Sequence, residues 1–173
     1  MGIWGARVLL VEHDETALEV ASRALRAKGA DVIVVPDAGA ALATVIGVVP
    51  DVLVVDLSRH VEDGIGFVQT VRSLSPEKGG QVPALTLGAV PLSRSRLKSW
   101  RAALFQGHVL GPFDPVAFQA AVGFWAGRAV ERRQRALDRG LWPLDVLRDR
   151  RAELRLEMAP PYSDRLRLGA ARA

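Results

Sequence analysis

The sequence of 173 residues contains no cysteine. That excludes disulfides, thiolate metal sites and a cysteine nucleophile. It also lacks any apolar run of the roughly 18 residues that a membrane-spanning helix needs. Its first residues, Met1-Gly2-Ile3-Trp4-Gly5-Ala6-Arg7, do not have the layout of a signal peptide. A cytoplasmic protein without membrane contact is therefore expected. No glycine-rich phosphate loop follows the first apolar run, which disfavours a dinucleotide site. No Cys/His metal spacing and no nucleophile–base motif stands out, so an enzyme is not expected.

What is present is the mix of an ordinary globular protein, 49% hydrophobic and 24% charged. The chain is long enough to bury a core without staples. The net charge of +4 is unevenly placed. Residues 1–130 carry 12 basic and 12 acidic side chains, and residues 131–173 carry 11 arginines and 7 acids. The split suggests a neutral domain over 1–130 and a basic helical extension and tail over 131–173.

Short apolar runs alternate with helical patterns. The runs are 7–11, 31–35, 51–56, 82–87 and 107–110. Between them, Ala17, Leu18, Ala21, Ala24 and Leu25 have helical spacing, with Gly29 as a stop. Residues 38–48, 64–74 and 93–105 read as further helices. Asp114 can cap a last helix that begins at Pro115. Near-continuous apolar strands of this kind belong to a parallel sheet covered on both faces. The expected fold is α/β: a doubly wound, five-stranded parallel sheet, flavodoxin-like, with a C-terminal helical extension. In such sheets functional groups gather at the carboxyl ends of the strands. Here those ends offer Glu12, His13 and Asp14, then Asp56, Gly88 and Gly111.

Four segments carry a family resemblance. They are Val8-Leu9-Leu10-Val11-Glu12-His13-Asp14, Pro50 to Ser58 running on to Asp63-Gly64, Val82 to Ala89, and Gly111-Pro112-Phe113. In this order and spacing, residues 6–128 resemble a receiver domain of the response regulators of two-component signalling. The resemblance implies that Asp56 is the phosphate-accepting aspartate. Glu12 takes the first of two metal-binding acid positions, and Ser58 the place whose backbone carbonyl is a metal ligand. A carboxylate nucleophile attacking phosphorus beside Mg2+ with oxygen ligands is consistent chemistry.

The same resemblance exposes departures. His13 stands where the second acid belongs, Gly88 where the phosphate-contacting Thr or Ser belongs, and Gly111 where the phosphate-pairing Lys belongs. His108 falls where a rotating aromatic is usual. Each charge-assisted hydrogen bond lost is worth about 1.5–3 kcal/mol. Two such losses remove most of a switch that needs about 5.5 kcal/mol to run from 1:99 to 99:1. Metal binding through Glu12, Asp56 and Ser58 is expected to be weak or absent, since two carboxylates and an imidazole suit a hard cation poorly. No cofactor is expected to be required.

These residues imply an atypical, pseudo-receiver variant that works mainly as a phosphorylation-independent protein-interaction module. Its expected partner is a histidine kinase, another signalling protein or a second copy of itself. A phosphorelay acceptor acting through Asp56, and a nucleic-acid-binding regulator acting through the basic tail, stay open as alternatives. Nucleic acid is the less favoured partner, because seven acids dilute the eleven arginines of the tail. The basic row Arg94, Arg96, Lys98 and Arg101 reads either as a solvated helix face or as a partner surface. His60 reads as a solvent-facing loop residue.

Overall fold

The structure is a computed structural model, and it describes residues 3–59, 61–88, 104–109 and 114–139. Five parallel strands form one sheet: β1 (Arg7–Val11), β2 (Asp31–Val35), β3 (Val52–Asp56), β4 (Ala84–Leu87) and β5 (Gly107–Val109). Their spatial order is β2-β1-β3-β4-β5. Around them lie α1 (Glu15–Arg26), α2 (Ala38–Val48), α3 (Val61–Arg72) and α4 (Pro115–Asp138). A short 3-10 turn covers Pro76–Lys78.

The side chains of a strand alternate between the two faces of the sheet, and both faces are buried here. Val8, Leu10, Val52 and Val54 join Leu25, Phe118, Val122 and Ala126 in one core. Leu9, Val11, Leu53 and Val55 join Val45, Ile65, Val68 and Val71 in the other. This is why the strands read as unbroken apolar runs. Aspartates start three of the helices. Asp14 accepts the N–H groups of Thr16 and Ala17, Asp37 that of Ala40, and Asp114 that of Val116. Each meets backbone donors that a helix start leaves without partners.

Several boundaries differ from the sequence expectation, for local reasons. The strand expected over 82–87 begins at Ala84, since Pro83 has no N–H to give the ladder. The strand expected from Asp51 begins at Val52, and the Asp51 side chain instead accepts the Arg7 N–H at 2.8 Å. The helix expected over 64–74 spans 61–72. Glu62 and Asp63 favour its positive N-terminal end. At its other end the Leu74 N–H bonds only three residues back, to Val71, as the chain tightens before Pro76. The helix expected over 93–105 does not include Leu104 or Phe105. The Leu104 carbonyl accepts the Arg72 guanidinium at 2.7 Å, and the Gln106 N–H already pairs with Ala84. Residues 93–103 of that expectation lie outside the described residues.

Helix α4 runs unbroken to Asp138, past the expected domain boundary at 130. Its outer turns carry the i,i+4 pair Glu131–Arg135, 3.7 Å apart. Residues 1–142 form one compact unit and 143–173 a second, which lies outside the described residues.

Candidate functional site

The chain turns one way from β1 to β2 and the other way from β1 to β3. A crevice therefore opens at the carboxyl ends of β1 and β3, the usual ligand position in an open α/β sheet. Glu12 leaves β1 with its N–H on Val35 O at 3.2 Å. Its side chain is 2% exposed, and one oxygen accepts the Asp14 N–H at 2.8 Å. Burial pushes the Glu12 carboxyl above the ordinary carboxylate range; the Asp14 N–H opposes this and the Asp56 charge adds to it. His13 is half-buried beside it. Asp14 belongs to the cap of α1, and the Ala17 N–H holds its carboxyl below the ordinary range. Arg59 approaches the second Asp14 oxygen at 3.9 Å.

Asp56 ends β3 and is 7% exposed. Both of its oxygens are engaged by Ser58. The Ser58 N–H donates to Oδ1 at 3.0 Å, and the Ser58 hydroxyl donates to Oδ2 at 2.5 Å. Gly88 follows β4 with its N–H on Val109 O and a φ of 91°. A Cβ there would lie 2.7 Å from Asp56 Oδ1 and 3.3 Å from the Ser58 Cβ. The Asp56 carboxylate thus occupies the space into which a side chain at position 88 would project.

Further out, His108 is the register partner of Thr86 across β4 and β5, and its Nδ1 is hydrogen-bonded to the buried Thr86 hydroxyl. An imidazole tied to its neighbour strand is a poor rotor. Gly111 and His60 lie outside the described residues, as do Arg94, Arg96, Lys98 and Arg101. The structure therefore brings together Glu12, Asp56, Ser58 and Gly88, and draws Asp14 into a helix cap.

Sequence reasoning assigned Ser58 only a backbone role and missed its hydroxyl. The signal was available: an Asp-x-Ser at a strand end offers the carboxylate an N–H and an O–H two residues on. Thr86 and Arg59 were also missed; register pairing, which sequence does not display, is what joins Thr86 to His108.

A parallel sheet in this order, with a carboxylate after β1 and an aspartate closing β3, defines the receiver class of α/β protein. The comparisons agree. Over 88 residues the chain is 32% identical to the transcriptional regulatory protein PrrA of Mycobacterium tuberculosis, covering 51% of this chain and 36% of that protein. The match thus spans about a third of that relative's length. The chain is also 30% identical over 109 residues to a 14.6 kDa protein of Leptolyngbya boryana, covering 63% of this chain and 81% of that one. Among solved structures, the receiver domain of the sensor histidine kinase PA1611 from Pseudomonas aeruginosa aligns with a TM-score of 0.62. It is 27% identical, and the alignment covers 71% of this chain and 98% of that one. No family model matches the chain. In sequence and fold the chain is similar to the receiver domains of response regulators, the signalling modules of two-component systems.

The PA1611 receiver holds a magnesium ion in its active-site cleft. In this chain the buried carboxylates of the corresponding pocket are Glu12 and Asp56. Among the described residues no three His, Asp or Glu side chains stand where they could hold one metal. Both Asp56 oxygens are already hydrogen-bonded, and Mg2+ demands near-octahedral oxygen ligands.

Proposed function

We propose that this protein is an atypical receiver, working as a protein-interaction module whose contacts do not depend on phosphorylation of Asp56. One observation carries the reading: the Asp56 carboxylate is buried, bonded through both oxygens to Ser58, and packed against a glycine with a left-handed backbone. A modification can bias two states only through contacts that differ between them. Gly88 has no hydroxyl to be drawn toward a phosphoryl group, and His108 is already bonded to Thr86.

In this reading the partner is a histidine kinase, another signalling protein or a second copy, met in the cytoplasm. Nucleic acid, a membrane surface and small-molecule catalysis are not part of it. No helix among the described residues is long and apolar enough to cross a membrane. Residues 1–130 supply the receiver, and residues 131–173 serve as an accessory to it.

Beryllofluoride with Mg2+ tests this, since it mimics a phosphoryl group on a receiver aspartate. Hydrogen exchange across β4 and β5, and molar mass by light scattering, are expected to stay unchanged on its addition. A change in exchange remote from Asp56, or in oligomeric state, overturns the proposal.

A further inference from the structure

In this pocket the exposed residue is the serine and not the aspartate. Ser58 is exposed, whereas Asp56 is 7% exposed and Oδ1 lies against Gly88. The Ser58 hydroxyl donates to Asp56 Oδ2 at 2.5 Å, a short charge-assisted contact. The Ser58 N–H fixes the other carboxylate oxygen at 3.0 Å, so the carboxylate is held in orientation. A hydroxyl on an oriented base is the arrangement of an activated nucleophile. A carboxylate that takes the proton of an attacking hydroxyl is also the device that protein kinases use for phosphoryl transfer.

We propose that Ser58, with Asp56 as its general base, is the phosphoryl acceptor of this pocket toward acyl phosphates. The inference rests on the receiver reading of the site and changes which atom reacts. The Ser58 Oγ–P bond forms as the P–O bond to the acyl leaving group breaks. The electron pair leaves with the departing carboxylate. The hydroxyl proton passes to Asp56 Oδ2 and on to water.

The surroundings suit the step. Arg59, the next residue, places a cation near the mouth, 3.9 Å from Asp14 Oδ2. The product is a phosphate monoester, which persists, whereas an acyl phosphate on an aspartate is labile to hydroxylamine.

The test is incubation of the full chain with acetyl phosphate, followed by hydroxylamine treatment, intact mass and peptide mapping. The expected result is a hydroxylamine-resistant gain of one phosphoryl group that maps to Ser58. It is absent in Ser58→Ala and slowed about 100-fold or more in Asp56→Asn, the size of a general-base effect. Mapping on the unaltered chain decides the matter even if a variant folds poorly. A hydroxylamine-labile adduct on Asp56 that survives in Ser58→Ala overturns the inference and favours a relay through Asp56. No adduct at all overturns it too, while leaving the interaction reading of the fold intact.

Discussion

The two ends of the sheet use polar side chains in opposite ways. At the amino end they are tied to backbone. The Arg72 guanidinium donates to the carbonyls of Gly80, Val82 and Leu104 and to the Gln106 side chain, and Gln106 in turn accepts the Ala84 N–H. Asp51 accepts the Arg7 N–H, while Arg7 reaches the Val48 carbonyl. At the carboxyl end, carboxylates face one another: Glu12 and Asp56 repel, and Asp56 is satisfied by a single neighbour. The same strands thus have one end spent on holding the chain together and one end where buried carboxylates meet. Sites of the second kind carry perturbed titrations, and Glu12 fits that pattern.

The largest test of this contrast is Arg72→Ala. It removes four hydrogen bonds and leaves partly buried carbonyls without a donor, so a loss of about 2–4 kcal/mol is expected. Urea unfolding measures it. A loss below 1 kcal/mol, on the order of one ordinary hydrogen bond, erases the distinction between the ends.

Next in size is Gly88→Thr, which restores the hydroxyl type usual in receivers. With φ at 91° and a Cβ 2.7 Å from Asp56 Oδ1, it is expected to cost about 1–3 kcal/mol. It is also expected to confer no response to beryllofluoride. A stable variant that gains such a response shows that the carboxyl end was only one substitution from working.

The smallest effect belongs to Glu12→Gln. A carboxyl raised in the folded state binds more protons folded than unfolded. Its contribution is therefore fully present below the ordinary value of 4.5 and is lost as pH rises through the raised value. Gln keeps an acceptor for the Asp14 N–H and does not titrate. Denaturation midpoints measured from pH 4.5 to neutrality should fall less steeply in the variant than in the native chain. Equal slopes mean that burial does not raise this carboxyl.

Much of the fold was legible because the signals were local. Strands 7–11 and 31–35 and helix 38–48 lie where their apolar runs and capping aspartates put them. That Asp56 closes a central strand was legible too, from the apolar run that it ends. What escaped depended on contacts between distant segments. Leu104 leaves the helical pattern because Arg72, 32 residues earlier, claims its carbonyl. The left-handed backbone of Gly88 and the grip of Ser58 on Asp56 are tertiary facts, and neither has a periodicity to betray it. Sequence pattern reports which element a residue joins; it does not report which atom of a pocket faces water.

Gly88 carries a consequence for how such a pocket can evolve. A glycine that merely lacked a hydroxyl could revert in one step. With its backbone on the left-handed side and the Asp56 carboxylate in the space a Cβ would enter, a larger residue first requires the backbone at position 88 to change hand. A side chain at this position therefore calls for two changes together, one in the residue and one in the backbone that carries it.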